Sequence, residues 1–152
     1  MKILMVCLGN ICRSPMAQGI LEVKVKAAGL DWLVDSAGTA NYHVGEAPHH
    51  LSQKVAKNYG VDISGQHGRQ LTKEDFVIFD KIYVMDKENY RDAKRIAGDN
   101  WDDKKVDLLL NEIYPNESRE VPDPWYGGIE NFKEVYALLN EACEKIVEKN
   151  KA

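Results

Sequence analysis

The chain has 152 residues, of which 44% are apolar and 29% charged, and its 20 Lys and Arg against 24 Asp and Glu leave a net charge of −4. That length suits one domain spanning 1–152 with a real core and is short for two. The mildly acidic balance argues against a general nucleic-acid binder and leaves room for a local basic pocket only. The opening apolar run 3–8 stops at Gly9 and Asn10 and is followed by Arg13. It is too short to span a bilayer and lacks a signal-peptide layout, so a cytoplasmic protein without membrane attachment is expected.

Residues 2–7 read as a short buried strand, because Ile3, Leu4, Met5 and Val6 are continuously apolar. A tight polar loop, 8–13, leads to Ser14-Pro15, a pair that predicts a helix with Ser as cap and Pro at the first helical position. That helix stops near Gly29. Residues 32–37 form a second strand, and a loop to Pro48 precedes a helix over about 49–59 closed by Gly60. A short helix follows from Thr72 through Phe79, then a strand over 81–85, a helix over 87–97 ended by Gly98, and a fourth strand over 106–110. Residues 115–128 are a loop with three prolines. The last helix, 129–147, carries Ile129, Phe132, Tyr136, Leu139, Cys143 and Ile146 at helical spacing.

Alternating strands and helices predict an α/β fold, a four-stranded parallel sheet covered on both faces through right-handed crossovers. Ligands of such sheets sit beyond the carboxyl ends of the strands, at helix N-termini, which is where the loop 8–13 lies. The three cysteines, Cys7, Cys12 and Cys143, fit no secreted disulfide framework and include no C-x-x-C pair. His49 and His50 are neighbours on what reads as a helix start, so they point to different faces and predict no metal site. No cofactor or metal is expected.

The segment Val6-Cys7-Leu8-Gly9-Asn10-Ile11-Cys12-Arg13-Ser14-Pro15 places a cysteine at a strand end and an arginine six positions later at a helix start. It has neither the G-x-G-x-x-G spacing of a dinucleotide fingerprint nor the Gly-Lys-Ser/Thr of a Walker loop. Its physical logic is a cradle for a phosphate dianion, in which the backbone amides of Leu8, Gly9, Asn10, Ile11 and Cys12 converge on one tetrahedral oxyanion. Gly9 and Asn10 tolerate the positive φ that such a curl needs. Arg13 offers a planar fork to two phosphate oxygens, and without an anion it opposes the helix dipole. The same donors stabilise a thiolate on Cys7, and the Ser14 hydroxyl is placed to donate to that sulfur.

Together with the stretches Asp35-Ser36-Ala37-Gly38-Thr39, Arg69-Gln70-Leu71, Phe79-Asp80 through Met85-Asp86, and Asp123-Pro124-Trp125-Tyr126, this loop resembles the low-molecular-weight protein tyrosine phosphatases over nearly the whole chain. The resemblance implies a flavodoxin-like four-stranded fold, no metal, and hydrolysis of phosphotyrosine in proteins through a phosphocysteine on Cys7. It implies phosphate binding by Arg13 and general acid and base work by Asp123, whose Asp-Pro is otherwise an ordinary turn signal. Tyr42, Trp125 and Tyr126 are the implied aromatic slot for the phenyl ring, and Ser36 with Asn10 the implied support of the loop. The family's Cys7–Cys12 pair implies a reversible redox role for Cys12.

Three other readings stay open at this point. Phosphoarginine phosphatases of this fold carry Thr where this chain has Ile11, which favours phosphotyrosine here. Thiol-linked arsenate reductases share the loop but need two further cysteines, and only Cys143 remains. A non-catalytic oxyanion-binding module needs neither the thiol nor the acid. One departure stands out: family members often read Ser-Gly-His-Arg, and this chain has Ser64-Gly65-Gln66-His67-Gly68-Arg69. Either Gln66 or an inward-shifted His67 is therefore expected to support Asn10 and Ser36.

Overall fold

The computed structural model describes residues 1–150. Four parallel strands, Lys2–Cys7 (β1), Leu33–Gly38 (β2), Lys81–Val84 (β3) and Val106–Leu108 (β4), form one sheet in the order β2-β1-β3-β4. Five helices surround it: Arg13–Ala27 (α1), His50–Asn58 (α2), Asp75–Ile78 (α3), Lys87–Ala97 (α4) and Ile129–Asn150 (α5). β1 is a central strand paired on both edges and covered on both faces, and because both faces are buried its side chains are apolar without alternation. Ile3, Met5 and Cys7 face a core shared with α1, α2 and α5. Leu4 and Val6 face the other core, with Phe76 of α3 and Ala93 and Ala97 of α4.

This is the single-domain α/β architecture the residue pattern predicts, with three local differences. The helix expected from Thr72 through Phe79 is confined to Asp75–Ile78, because the Thr72 backbone N–H and hydroxyl both donate to Asp75 Oδ2 and hold the preceding residues in a turn. The fourth strand ends at Leu108, and residues Leu109–Glu112 turn into a short 3-10 helix instead of extending the strand. The first helix begins two residues earlier than Ser14-Pro15 suggested. Its N-cap is Cys12, without a side-chain cap, so Ser14 and Pro15 are its second and third residues. The physical reason is that the Ser14 hydroxyl is engaged by Cys7 and Asn10. Pro15 still falls within the first turn, where a missing N–H costs no helical bond.

The strand order sets where function resides. The chain leaves β1 into α1 on one face and leaves β3 through α4 on the opposite face. The carboxyl ends of these neighbouring strands therefore flank the crevice at which such sheets bind ligands. No helix among the described residues is long and apolar enough to cross a membrane.

Candidate active site

The loop after β1 turns its carbonyls outward. Cys7 O accepts from Thr39 N–H (3.0 Å), Leu8 O from Ala40 N–H (2.9 Å), Ile11 O from His49 N–H (2.8 Å) and Cys12 O from the Ser52 hydroxyl (3.1 Å). Peptide planes are trans throughout the described residues, so each outward carbonyl directs the following amide the other way. The N–H groups of Leu8, Gly9, Cys12 and Arg13 thus point into the curl, and the last of them belongs to the open first turn of α1. Their convergence is a cradle for a tetrahedral anion.

A buried network beneath the cradle fixes its shape. Asn10 adopts φ 57°, a left-handed conformation that asparagine tolerates better than most residues. Its Nδ2 donates to Ser14 Oγ (2.8 Å) and Ser36 Oγ (2.9 Å), and its Oδ1 accepts from Arg69 N–H (3.0 Å). Ser36 in turn donates to Gln18 Oε1 at 2.6 Å. Ser14 Oγ lies 3.0 Å from Cys7 Sγ, and because that oxygen already accepts from Asn10, its own proton is free for the sulfur. Gly9 does not use a positive φ. It is constrained instead by contact, since a Cβ there would lie 3.0 Å from the His43 ring. At Gly38 a Cβ would lie 2.8 Å from Leu8 O, so only glycine lets β2 approach the loop so closely.

Arg13 is 2% exposed and is held along one edge of its guanidinium. Nη1 donates to Asp86 Oδ2 (2.8 Å) and to Val121 O (2.9 Å). Nε is buried without a partner among the described residues, and Nη2 has Asp123 Oδ2 at 3.8 Å. The Nε–Nη2 edge is thereby oriented for a bidentate oxyanion. Burial alone would lower the guanidinium pKa, but the negative charge at Cys7, then Asp86 and Asp123, outweigh it and raise it. Asp86 caps α4 through a capping box with Asn89, so the ion pair joins the starts of α1 and α4 across the crevice.

Opposite the cradle, residues 121–127 form the loop that carries Asp123. Val121 N–H bonds Met85 O (2.8 Å), anchoring the loop to the end of β3. The side chain of Asp123 is 41% exposed, and its Oδ1 accepts from Trp125 N–H at 3.0 Å, an Asx turn of the kind Asp-Pro favours. Cys7, Leu8, Gly9, Ile11, Cys12 and Arg13 line the floor of a cavity of about 300 Å³ whose walls are Tyr42, His43, Asp123, Trp125 and Tyr126. Tyr126 is 95% exposed and Tyr42 72%, so the aromatic wall stands at the mouth.

The residues singled out from the sequence are thus gathered in one place, with Asn10, Ser14 and Ser36 below the floor instead of in it. Neither candidate for loop support reaches Asn10 or Ser36. Gln66 Nε2 bonds Pro15 O (3.0 Å) and His67 is exposed; the Arg69 backbone and Gln18 take that place. Four contributors were not assigned roles from sequence: Gln18, Arg69, Asp86 and His43. Only Gln18 had a local signal, one turn after Ser14 on the same helix face.

The cysteines differ sharply in setting. All three are free and buried. Cys12 has its thiol pushed up to about 12 by burial, then by the charges of Cys7 and Asp123, against the pull of Arg13. Cys143 is fully buried in α5, its sulfur against Ala17 O at 3.7 Å, and burial pushes it up to about 12 as well. Both stay protonated near neutrality. Among the described residues no group of three or more His, Cys, Asp or Glu is placed to hold a metal ion.

The chain's likeness to known proteins agrees with this geometry. The family described as low molecular weight phosphotyrosine protein phosphatase matches residues 2–152. A human protein named low molecular weight phosphotyrosine protein phosphatase is 38% identical over 97% of this chain and 94% of its own length. The crystal structure of YfkJ from Bacillus subtilis superposes with a TM-score of 0.90 at 35% identity, covering 98% of this chain and 93% of that one. A Drosophila arginine phosphatase superposes with a TM-score of 0.91 at 34% identity, covering 100% and 99%. A match over essentially the full length, with relatives well above 30% identity, makes the chain a member of the low molecular weight phosphotyrosine protein phosphatase family, a family of protein tyrosine phosphatases.

Proposed function

We propose that the protein hydrolyses phosphotyrosine in proteins, and small aryl phosphates, through a phosphocysteine on Cys7. The observation that carries this reading is the arrangement of one cavity: Cys7 and inward amides at its floor, the open edge of Arg13 beside them, and Asp123 within 3.8 Å of that arginine at the mouth. The phosphoryl oxygens occupy the cradle and the Nε–Nη2 edge of Arg13, which balance charge as it spreads over them. The Cys7 thiolate attacks phosphorus in line, forming the S–P bond as the P–O bond to the phenol breaks. Asp123 gives its proton to the departing oxygen. The Asp123 carboxylate then takes a proton from water, whose oxygen displaces Cys7 as a thiolate that receives the Ser14 hydrogen bond.

Depth favours an aryl ester. The nucleophile is 2% exposed, so phosphorus reaches it only on a stem long enough to pass Ile11 and the walls of Tyr42, Trp125 and Tyr126. Ile11 is 7% exposed and apolar at the floor, which suits a phenyl carbon frame better than the polar link of phosphoarginine. Buried Cys143 has no route to a cysteine intermediate, which speaks against a thiol-coupled arsenate reduction. A nucleophile that must stay a free thiol fits a reducing compartment such as the cytoplasm. Rates on matched phosphotyrosyl, phosphoseryl and phosphoarginyl peptides test the assignment. A phosphotyrosine preference of at least about 100-fold in kcat/KM is expected, and comparable phosphoarginine rates would overturn it.

A further inference from the structure

Residues 123–127 form a short stiff unit. Trp125 N–H bonds Asp123 Oδ1 (3.0 Å), and Gly127 N–H bonds Pro124 O (2.9 Å), closing a turn around Trp125 and Tyr126. Such a unit stands on an exposed loop, so its orientation depends on what its large side chains rest against. Tyr126 rests on little, at 95% exposed. Trp125 lies between two histidines, its ring 5.5 Å from His43 at 42° and 5.5 Å from His49 at 75°, edge to face.

His49 is itself tied down on three sides. Its Nδ1 accepts Leu51 N–H (3.1 Å), capping α2, and its backbone N–H donates to Ile11 O (2.8 Å) in the phosphate loop. Its ring stacks on the buried Phe132 of α5 at 4.8 Å. It does not line the cavity. A continuous path therefore runs from the core, through Phe132, His49 and Trp125, to the carboxylate of Asp123.

We propose that His49 is a positioning residue: its ring seats Trp125, and the Trp125 peptide N–H thereby aims Asp123 at the leaving oxygen. The inference rests on the reading of Asp123 as general acid. A small displacement of such a group suffices to impair proton delivery while leaving phosphate binding intact.

Two substitutions separate the seat from the helix cap. His49→Asn keeps a good capping side chain and removes the ring, whereas His49→Phe keeps a ring and removes the cap. The readout is kcat/KM on phenyl phosphate, whose leaving oxygen needs a proton, against 2,4-dinitrophenyl phosphate, whose leaving group does not. His49→Asn is expected to lose about tenfold on the phenyl ester and less than about twofold on the dinitrophenyl ester. His49→Phe is expected to keep both within about twofold while melting at a lower temperature. A merely structural role gives the opposite pattern, with His49→Phe the worse variant and both esters affected alike, and that result overturns the proposal. Acrylamide quenching of Trp125 fluorescence, taken as the difference from matched Trp125→Phe proteins, reads the seat without turnover. It is expected to rise in His49→Asn and not in His49→Phe. An Asp123→Asn variant that loses no more on the phenyl ester than on the dinitrophenyl ester would overturn the reading of Asp123, whereas unchanged quenching in His49→Asn would overturn the seat.

Discussion

The loop 7–14 and the loop 121–127 face each other across one cavity and are stabilised in different ways. Residues 10–14 are all buried, and the side chains of Asn10, Arg13 and Ser14 are bonded to partners distant in sequence or to Cys7. In the loop 121–127 only Val121 and Pro124 are buried, and Asp123, Trp125 and Tyr126 are exposed. The two loops divide the labour. The anion's half of the site is prebuilt, so its donors need no reorganisation when charge develops. The half that, on the proposed reading, meets the alcohol is an exposed turn held by a few anchors.

Substitutions on the two sides should break this contrast in different ways. The largest effect is expected from Asp123→Asn, with kcat/KM on phenyl phosphate falling roughly 10²–10⁴-fold. Inhibition by inorganic phosphate should be unchanged, because the cradle does not depend on the acid. Arg13→Lys comes next, since it keeps the charge and loses the fork. It should cost about 10²–10³-fold in kcat/KM and weaken phosphate inhibition as well. Equal phosphate inhibition in both variants would erase the proposed division.

Asn10→Ala should be felt mainly as stability. It orphans buried groups of Ser14, Ser36 and Arg69 and places alanine at φ 57°, together worth roughly 2–4 kcal/mol in urea unfolding. A loss below about 1 kcal/mol would mean the network is not the frame of the loop.

The smallest effect concerns pH. Burial, then the charge of His50, lowers the pKa of His49, so the folded state binds its proton less readily than the unfolded chain does. Its stabilising contribution is full above the ordinary histidine value of about 6.5 and is lost as pH falls from there through the lower folded value. Protonation also removes the Nδ1 acceptor that caps α2. Thermal melts between pH 7 and 5 should show a shallower decline in His49→Asn than in the wild type.

What the sequence made legible follows the same contrast. The run from β1 through the loop into α1 is local, and its chemistry could be read from adjacent residues. The wrong detail there, Ser14 as a helix cap, came from a contact no local pattern contains, the Cys7 sulfur across the curl. Local spacing likewise points to Gln66 or His67 as support, but the chain brings the Arg69 backbone to Asn10 across 59 positions instead. Asp86 meets Arg13 across 73 positions, and His43 enters the cavity from the irregular loop after β2. Such partners are set by strand order and by crossovers to opposite faces, which adjacent residues do not encode.

During turnover the sulfur of Cys7 is expected to become covalently bonded to phosphorus. Acid quenching within the first turnovers of a ³²P-labelled aryl phosphate, followed by tryptic digestion, reads it directly. The label should be found on peptide 3–13 of the wild type and of Cys12→Ser, and be absent from Cys7→Ser. Turnover by Cys7→Ser, or label retained on that peptide in it, would rule out a phosphocysteine on Cys7.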